Sequence, residues 1–292
     1  MMSVENIAKH LGGNWHGGKG SAPCPVCQPE RRRDQRALSL TDSGDGKVLV
    51  NCFKQNCDYD AIMQAARLDR EHRSFERKRL ILPRQSQTKV IADRSDHAKR
   101  LWERAEDITG SLAERYLRNR GITCSLPPTL RYMRDCWHAS RQHHPALLAI
   151  VEGGEGFAVH RTYLCSNSAG KAAVSPAKAM IGRVTGGAVR LAEAVGPLVV
   201  AEGIETALSV ASGLLQRPAT IWAALSTSGI IGLNLPGEPG HLIVASDGDP
   251  AGRSAAHQLA TRAYGLGWDV SLMCAPDGSD WNDALLAGGS AA

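Results

Sequence analysis

No run of apolar residues in this 292-residue chain approaches the roughly 18 that a bilayer-spanning helix needs. The start, MMSVENIAKHLGG, lacks the charged lead and long apolar stretch of a secretory signal. These absences predict a soluble, cytoplasmic protein without a membrane partner. In a reducing compartment the eight cysteines then point to metal binding or free thiols instead of disulfides. A large net charge is also missing, the total being only +5, but the charge is unevenly spread. Residues 67–100 hold eleven Lys or Arg against five Asp or Glu, a run that suits either a polyanion or a solvated connector.

The length suits about two domains. After a short helix over Asn6 to Leu11, the glycine-rich GGNWHGGKG reads as a flexible lead-in. Its Gly13 to Lys19 spacing matches the first part of a phosphate-binding P-loop, but Gly20 stands where Ser or Thr is needed and a helix precedes it where a buried strand belongs. Cys24-Pro-Val-Cys27 and Cys52-Phe-Lys-Gln-Asn-Cys57 flank two strand-like runs, Ala37 to Thr41 and Lys47 to Asn51. Two cysteine pairs at one end of a hairpin can present four thiolates to structural Zn²⁺, although the second gap is four residues where two is commoner. So small a segment has little core, and metal would supply much of its folding free energy. Arg31, Arg32, Arg33, Arg36 and Lys54 give this module a basic surface suited to nucleic acid, or simply a solvated one.

From Asp60 the pattern predicts a helix through the basic stretch to Pro83, a polar linker over Pro83 to Asp96, and one helix over Asp96 to Ile122. Strand-like runs follow at Leu130 to Met133, Ala146 to Glu152 and Phe157 to Leu164. Between Ala158 and Ile181, Arg161, Lys171 and Lys178 stand among small residues, as in a groove that a phosphate backbone can approach.

From Pro197 strands alternate with helices, which predicts a parallel α/β sheet. Glu202 follows the first strand, Asp247 and Asp249 the third (HLIVASDGDPAGR), and Asp280 with Asp283 the fourth, so the acids are expected along one edge. Hard oxygen donors with no His or Cys nearby suit Mg²⁺ or Mn²⁺, and such ions act on phosphoryl groups. Glu202 can serve as metal ligand or as general acid/base. Gly203 and Gly252 would let helix N-termini approach phosphate oxygens.

The strings LVVAEGIETAL, IVASDGDPAGR and DGSDWNDAL resemble the Toprim domain of bacterial primases, type IA and II topoisomerases and recombination and nuclease proteins. With a zinc ribbon and a basic α+β lobe ahead of it, the architecture resembles the primases of phages, plasmids and other mobile elements. That resemblance implies a zinc ribbon over 1–66, a basic helix and linker over 67–96, a basic α+β lobe over 97–196 and Toprim over 197–292. Carried over onto matching positions, Glu202, Asp247, Asp249, Asp280 and Asp283 would hold magnesium, while Arg161 and Lys178 would hold template and incoming nucleotide. Where such primases often carry another acid, four residues past the first glutamate, this chain has Thr206, with Glu205 one residue earlier. The implied activity is templated primer synthesis on single-stranded DNA from nucleoside triphosphates, with a helicase supplied in trans. A Toprim nuclease and a non-enzymatic recombination mediator are the alternative readings.

Overall fold

The computed structural model describes residues 4–288 except 17, 33–34, 43–47, 56, 67–83 and 168–169, and the backbone alone for 84–93. The chain divides into two compact units, Met1–Ile81 and Leu82–Ala292. None of the described helices is long and apolar enough to cross a membrane.

In the first unit, α1 (Val4–His10), β1 (Asn14–His16), β2 (Lys19–Ala22), β3 (Leu38–Asp42), β4 (Val48–Cys52) and α2 (Tyr59–Ala65) follow in order. The strands form an antiparallel sheet in chain order. The glycine-rich stretch expected to be a flexible lead-in is therefore an ordered hairpin, β1–β2. Gly13 allows a close approach just ahead of it: a Cβ there would collide with the Ser21 carbonyl and Ala22. Ile7 and Ala8 from α1, with Leu11 just after it, pack with Leu38, Leu40 and Ile62 in a small core that also takes in Cys24 and Cys52. The helix expected to continue from Asp60 through the basic stretch stops at Ala65, where the Ala66 N–H turns back to the Ile62 carbonyl. The remainder of that expectation, 67–83, lies outside the described residues, as does Arg33.

The second unit begins with α3 (Arg84–Glu103), so most of the polar stretch read as a linker is helix. Along its described side chains Ala98, Leu101 and Trp102 meet the sheet, spaced on one helical face. The single helix expected over Asp96 to Ile122 is in fact two, separated by β5 (Glu106–Asp107) and followed by α4 (Leu112–Asn119). Gly110, with φ of 72°, reverses the chain there. Ser111 then starts α4 as its N-cap, accepting from the N–H groups of Ala113 and Glu114.

Strands β6 (Leu130–Trp137), β7 (His143–Val151), β8 (Ala158–Tyr163) and β9 (Lys178–Gly182) complete an antiparallel sheet ordered β5-β6-β7-β8-β9. One face, with Met133, Leu148, Val159 and Tyr163, packs on α3. The other, with Leu130, Leu147 and Ala149, shares a core with the next sheet.

That sheet contains β10 (Val189–Ala192), β11 (Leu198–Ala201), β12 (Thr220–Ala223), β13 (His241–Ser246) and β14 (Asp269–Cys274), ordered β10-β12-β11-β13-β14. All neighbours are parallel except β10, which runs antiparallel along β12. Helices α5 (Ile204–Ser209), continued by a π-helical turn over Val210–Leu214, α6 (Thr227–Ile231), α7 (Pro250–Gly265) and α8 (Trp281–Leu286) connect or follow the strands. Residues of α5 join Val199, Ala201, Ile243 and Ala245 on one face, and α7 joins Leu198, Val200, Leu242 and Val244 on the other. This is the expected mixed α/β fold with a parallel sheet covered on both faces, which is why its strands read as continuous apolar runs.

Candidate active site

Register places the acids. Ala201 pairs with Ala223 on one side and Ala245 on the other, so the carboxyl ends of β11, β12 and β13 lie level. Glu202 emerges from the middle strand, and Asp247 leaves β13 just beyond Ser246. Asp249 caps α7, its Oδ1 accepting the Gly252 N–H at 2.6 Å. The Gly252 N–H is thereby occupied by Asp249, whereas Gly203 is the N-cap of α5 without a side-chain cap. Asp280 and Asp283 close a reciprocal capping box at the start of α8. Asp283 thus already accepts from the Asp280 N–H, and it lies on the exposed side of the helix.

Two loops are stitched together to bring Asp280 towards Asp247. The Gly248 N–H donates to the Ser279 carbonyl at 2.9 Å, and the Gly278 N–H to the Gly248 carbonyl at 3.2 Å. A Cβ on Gly248 would run into the Pro276 carbonyl oxygen. Gly248→Ala is therefore expected to cost about 2 kcal/mol of stability by forcing the loops apart. A denaturant midpoint equal to that of the unaltered chain would refute this.

Electrostatics confirm that the carboxylates feel one another. Burial, then the neighbouring Asp247 and Asp249 charges, raises the Glu202 carboxyl above its ordinary range, opposed by Lys178 and the Thr227 N–H. Burial, then Asp280, raises Asp247, opposed by a hydrogen bond from the Thr206 hydroxyl at 3.3 Å. A set of anions that repel one another, three of them half-buried and Asp249 exposed, fits a divalent cation. Glu202, Asp247, Asp249 and Asp280 would hold it. Among the described residues the four cysteines are the one group of three or more such side chains gathered closely enough to hold a metal, so the carboxylates form a looser set than the thiols.

The cations divide by strand parity. Thr162 pairs with Lys178, and Arg161 with Ala179, so Arg161 and Lys178 project from opposite faces of the sheet. Arg161 lies over the Tyr163 ring and donates to the Trp137 carbonyl, on the α3 face, away from the carboxylates. Lys178 lies on the carboxylate side, 2.9 Å from Glu205 Oε2. Lys171, from the loop before β9, reaches Glu205 Oε1 at 3.3 Å. Neither partner of Glu205 follows from the motif pattern; the only sequence signal was the glutamate displaced by one residue from the expected acid.

In the first unit the Sγ atoms of Cys24, Cys27, Cys52 and Cys57 lie within 4.8 Å of one another, Cys27 and Cys52 at 3.6 Å. Burial pushes the Cys52 thiol up, but N–H groups of Gln55, Cys57 and Lys54 outweigh it and hold the thiol at about 6. Burial and the neighbouring thiols push Cys27 up. A buried four-sulfur set containing an acidified thiol is compatible with a structural zinc ribbon, and the four-residue gap after Cys52 supplies the N–H groups that turn towards its sulfur.

Residues 197–291 match the family model for the Toprim domain. This segment is a Toprim domain. Residues 92–191, ahead of the Toprim sheet, match a domain of unknown function, DUF7146. Among solved structures the chain is similar to a DNA primase domain from Pseudomonas aeruginosa, at 15% identity over 67% of this chain and 75% of that one, TM-score 0.41. It is also similar to the zinc-binding and RNA polymerase domains of Aquifex aeolicus primase, at 14% identity over 99% and 80% of the two chains, TM-score 0.40. No curated protein matches its sequence.

Proposed function

We propose that this chain is a DNA primase that makes short oligonucleotides on single-stranded DNA by metal-dependent nucleotidyl transfer. The observation that carries the reading is the gathering of Glu202, Asp247, Asp249 and Asp280 at the carboxyl edge of the Toprim sheet, with Lys178 beside them. A bound Mg²⁺ or Mn²⁺ would neutralise phosphate charge and make the attacking hydroxyl more acidic. The residues of the chain orient the reactants. Thr206 fixes Asp247, the stitched loops hold Asp280, and Lys178 offers a cation on the phosphate side. In the reaction the 3′-oxygen of one nucleotide bonds to the α-phosphorus of the next, the bond to the β-phosphate oxygen breaks, and pyrophosphate and a proton leave. The basic ribbon would help select the start site, and a helicase would act in trans.

Incubation of the chain with single-stranded templates, Mg²⁺ and labelled nucleoside triphosphates is expected to yield oligonucleotides made de novo. Shortened DNA without synthesis would instead identify a Toprim nuclease, in which the same carboxylates serve attack by water. A non-enzymatic mediator would bind single strands and do neither.

A further inference from the structure

Glu205 is the most fully engaged acid in the second unit. Its side chain is only 6% exposed, yet it is charged, because Lys178 and Lys171 outweigh the effect of burial and hold it far below the usual carboxylate range. Oε1 accepts from the Tyr116 hydroxyl at 2.8 Å and lies 3.3 Å from Lys171 Nζ, while Oε2 accepts from Lys178 Nζ at 2.9 Å. A single ammonium would neutralise it. A second leaves these three groups with one positive charge in excess, so the pair keeps the capacity to take up an anion from solvent. Arg120, close enough to Lys171 to depress its basicity, adds to the excess.

Geometry gives the excess a direction. Each ammonium has three N–H donors, and the contact with Glu205 takes one of them. The lysine side chains remain 31% and 37% exposed, so their heads reach solvent although the carboxylate between them does not. Glu205, which holds both lysines, directly precedes Thr206, whose hydroxyl donates to Asp247 at 3.3 Å, so the pair lies next to the acidic edge. The pair is therefore set beside the proposed metal centre, where a polyphosphate held by that centre would need countercharge.

We propose that Glu205 is a positioning residue that clamps Lys171 and Lys178 as a paired cationic seat for the triphosphate of an incoming nucleotide. The proposal rests on the primase reading for the identity of its ligand. Glu205 touches no reacting atom; it restrains two flexible side chains and lowers the entropy lost when they meet phosphate. Tyr116 in turn fixes the carboxylate.

The test is titration of the full chain, with Mg²⁺ present, by ATP and by inorganic tripolyphosphate in a calorimeter, alongside KM and kcat for primer synthesis. Lys171→Met and Lys178→Met are each expected to weaken tripolyphosphate binding about tenfold. Glu205→Gln should do the same and raise the KM for nucleotide more than it lowers kcat, and Lys171→Met should add little in the Glu205→Gln background. A folded Glu205→Gln chain that binds tripolyphosphate as tightly as the unaltered one would overturn the proposal. Should Glu205→Gln fail to fold, unchanged affinity in both lysine variants would overturn it, and weakening in both together with Tyr116→Phe would uphold it. Binding without synthesis in the unaltered chain would refute the polymerase reading and leave the seat standing.

Discussion

Asp247→Asn is expected to lower primer synthesis on the order of 10³-fold while leaving the fold intact and single-strand binding close to that of the unaltered chain. Asp247 leaves the strand beside the central one, is half-buried, and is flanked by Asp280, Asp249 and the Thr206 hydroxyl. The substitution keeps the shape and the hydrogen bond from Thr206 within reach, but removes one of the charges that would bind the metal. Stability supplies an independent check. The folded chain holds a proton on Asp247 more tightly than the unfolded chain does, so the ionised acid opposes folding as pH rises above the ordinary value of 3.8. In EDTA, Asp247→Asn should therefore melt at the same temperature as the unaltered chain or higher near neutral pH, and lose less stability as the pH is raised from acid. A lower melting temperature would show that the carboxylate is structural. Undiminished synthesis would remove the metal assignment.

Removal of zinc is expected to unfold the first unit and spare the second. The core of the first unit draws on few side chains beyond Ile7, Leu11, Leu38, Leu40 and Ile62, and two of the four thiols are part of it. Structural zinc typically contributes on the order of 10 kcal/mol to folding, more than so small a core supplies by itself. Elemental analysis should find one zinc per chain. After chelation, limited proteolysis should cut within residues 4–66 while 94–288 resist. Cys52→Ser should behave like the chelated chain, because it removes the thiol that the knuckle N–H groups acidify. A first unit that stays protected without metal would overturn the assignment.

What could be read from the sequence was whatever is written in local period or spacing. The buried parallel strands β11 and β13 read as apolar runs, and an acid immediately after such a run lies at the sheet edge, so Glu202 and Asp247 could be placed without coordinates. The cysteine spacing likewise carried its own geometry. What escaped depended on contacts distant in sequence or on a parity of one residue. Arg161 and Lys178 read alike in composition, yet the pairing register sends them to opposite faces. Lys171 lies in a loop, and only the fold brings it to Glu205. The helix over Arg84–Glu103 was obscured because its first half is mostly polar in sequence. Asp283 illustrates another gap: an acid three residues after Asp280 serves a capping box as naturally as a metal, and the sequence pattern for the two is the same.

Helix α8 is pinned by residues far away in the chain. Trp281 donates to the Ser246 carbonyl at 3.1 Å, and the Asn282 carboxamide accepts from Arg120 at 2.7 Å while donating to the Arg120 carbonyl at 2.7 Å and to Ser209 at 3.0 Å. Arg120 and Asn282 are 162 positions apart. During synthesis on the ribosome, a nascent chain that has not yet reached residue 280 has neither Asp280 nor this clasp. The acidic edge is thus completed only after translation has passed that point, and a polypeptide stalled earlier carries it unfinished.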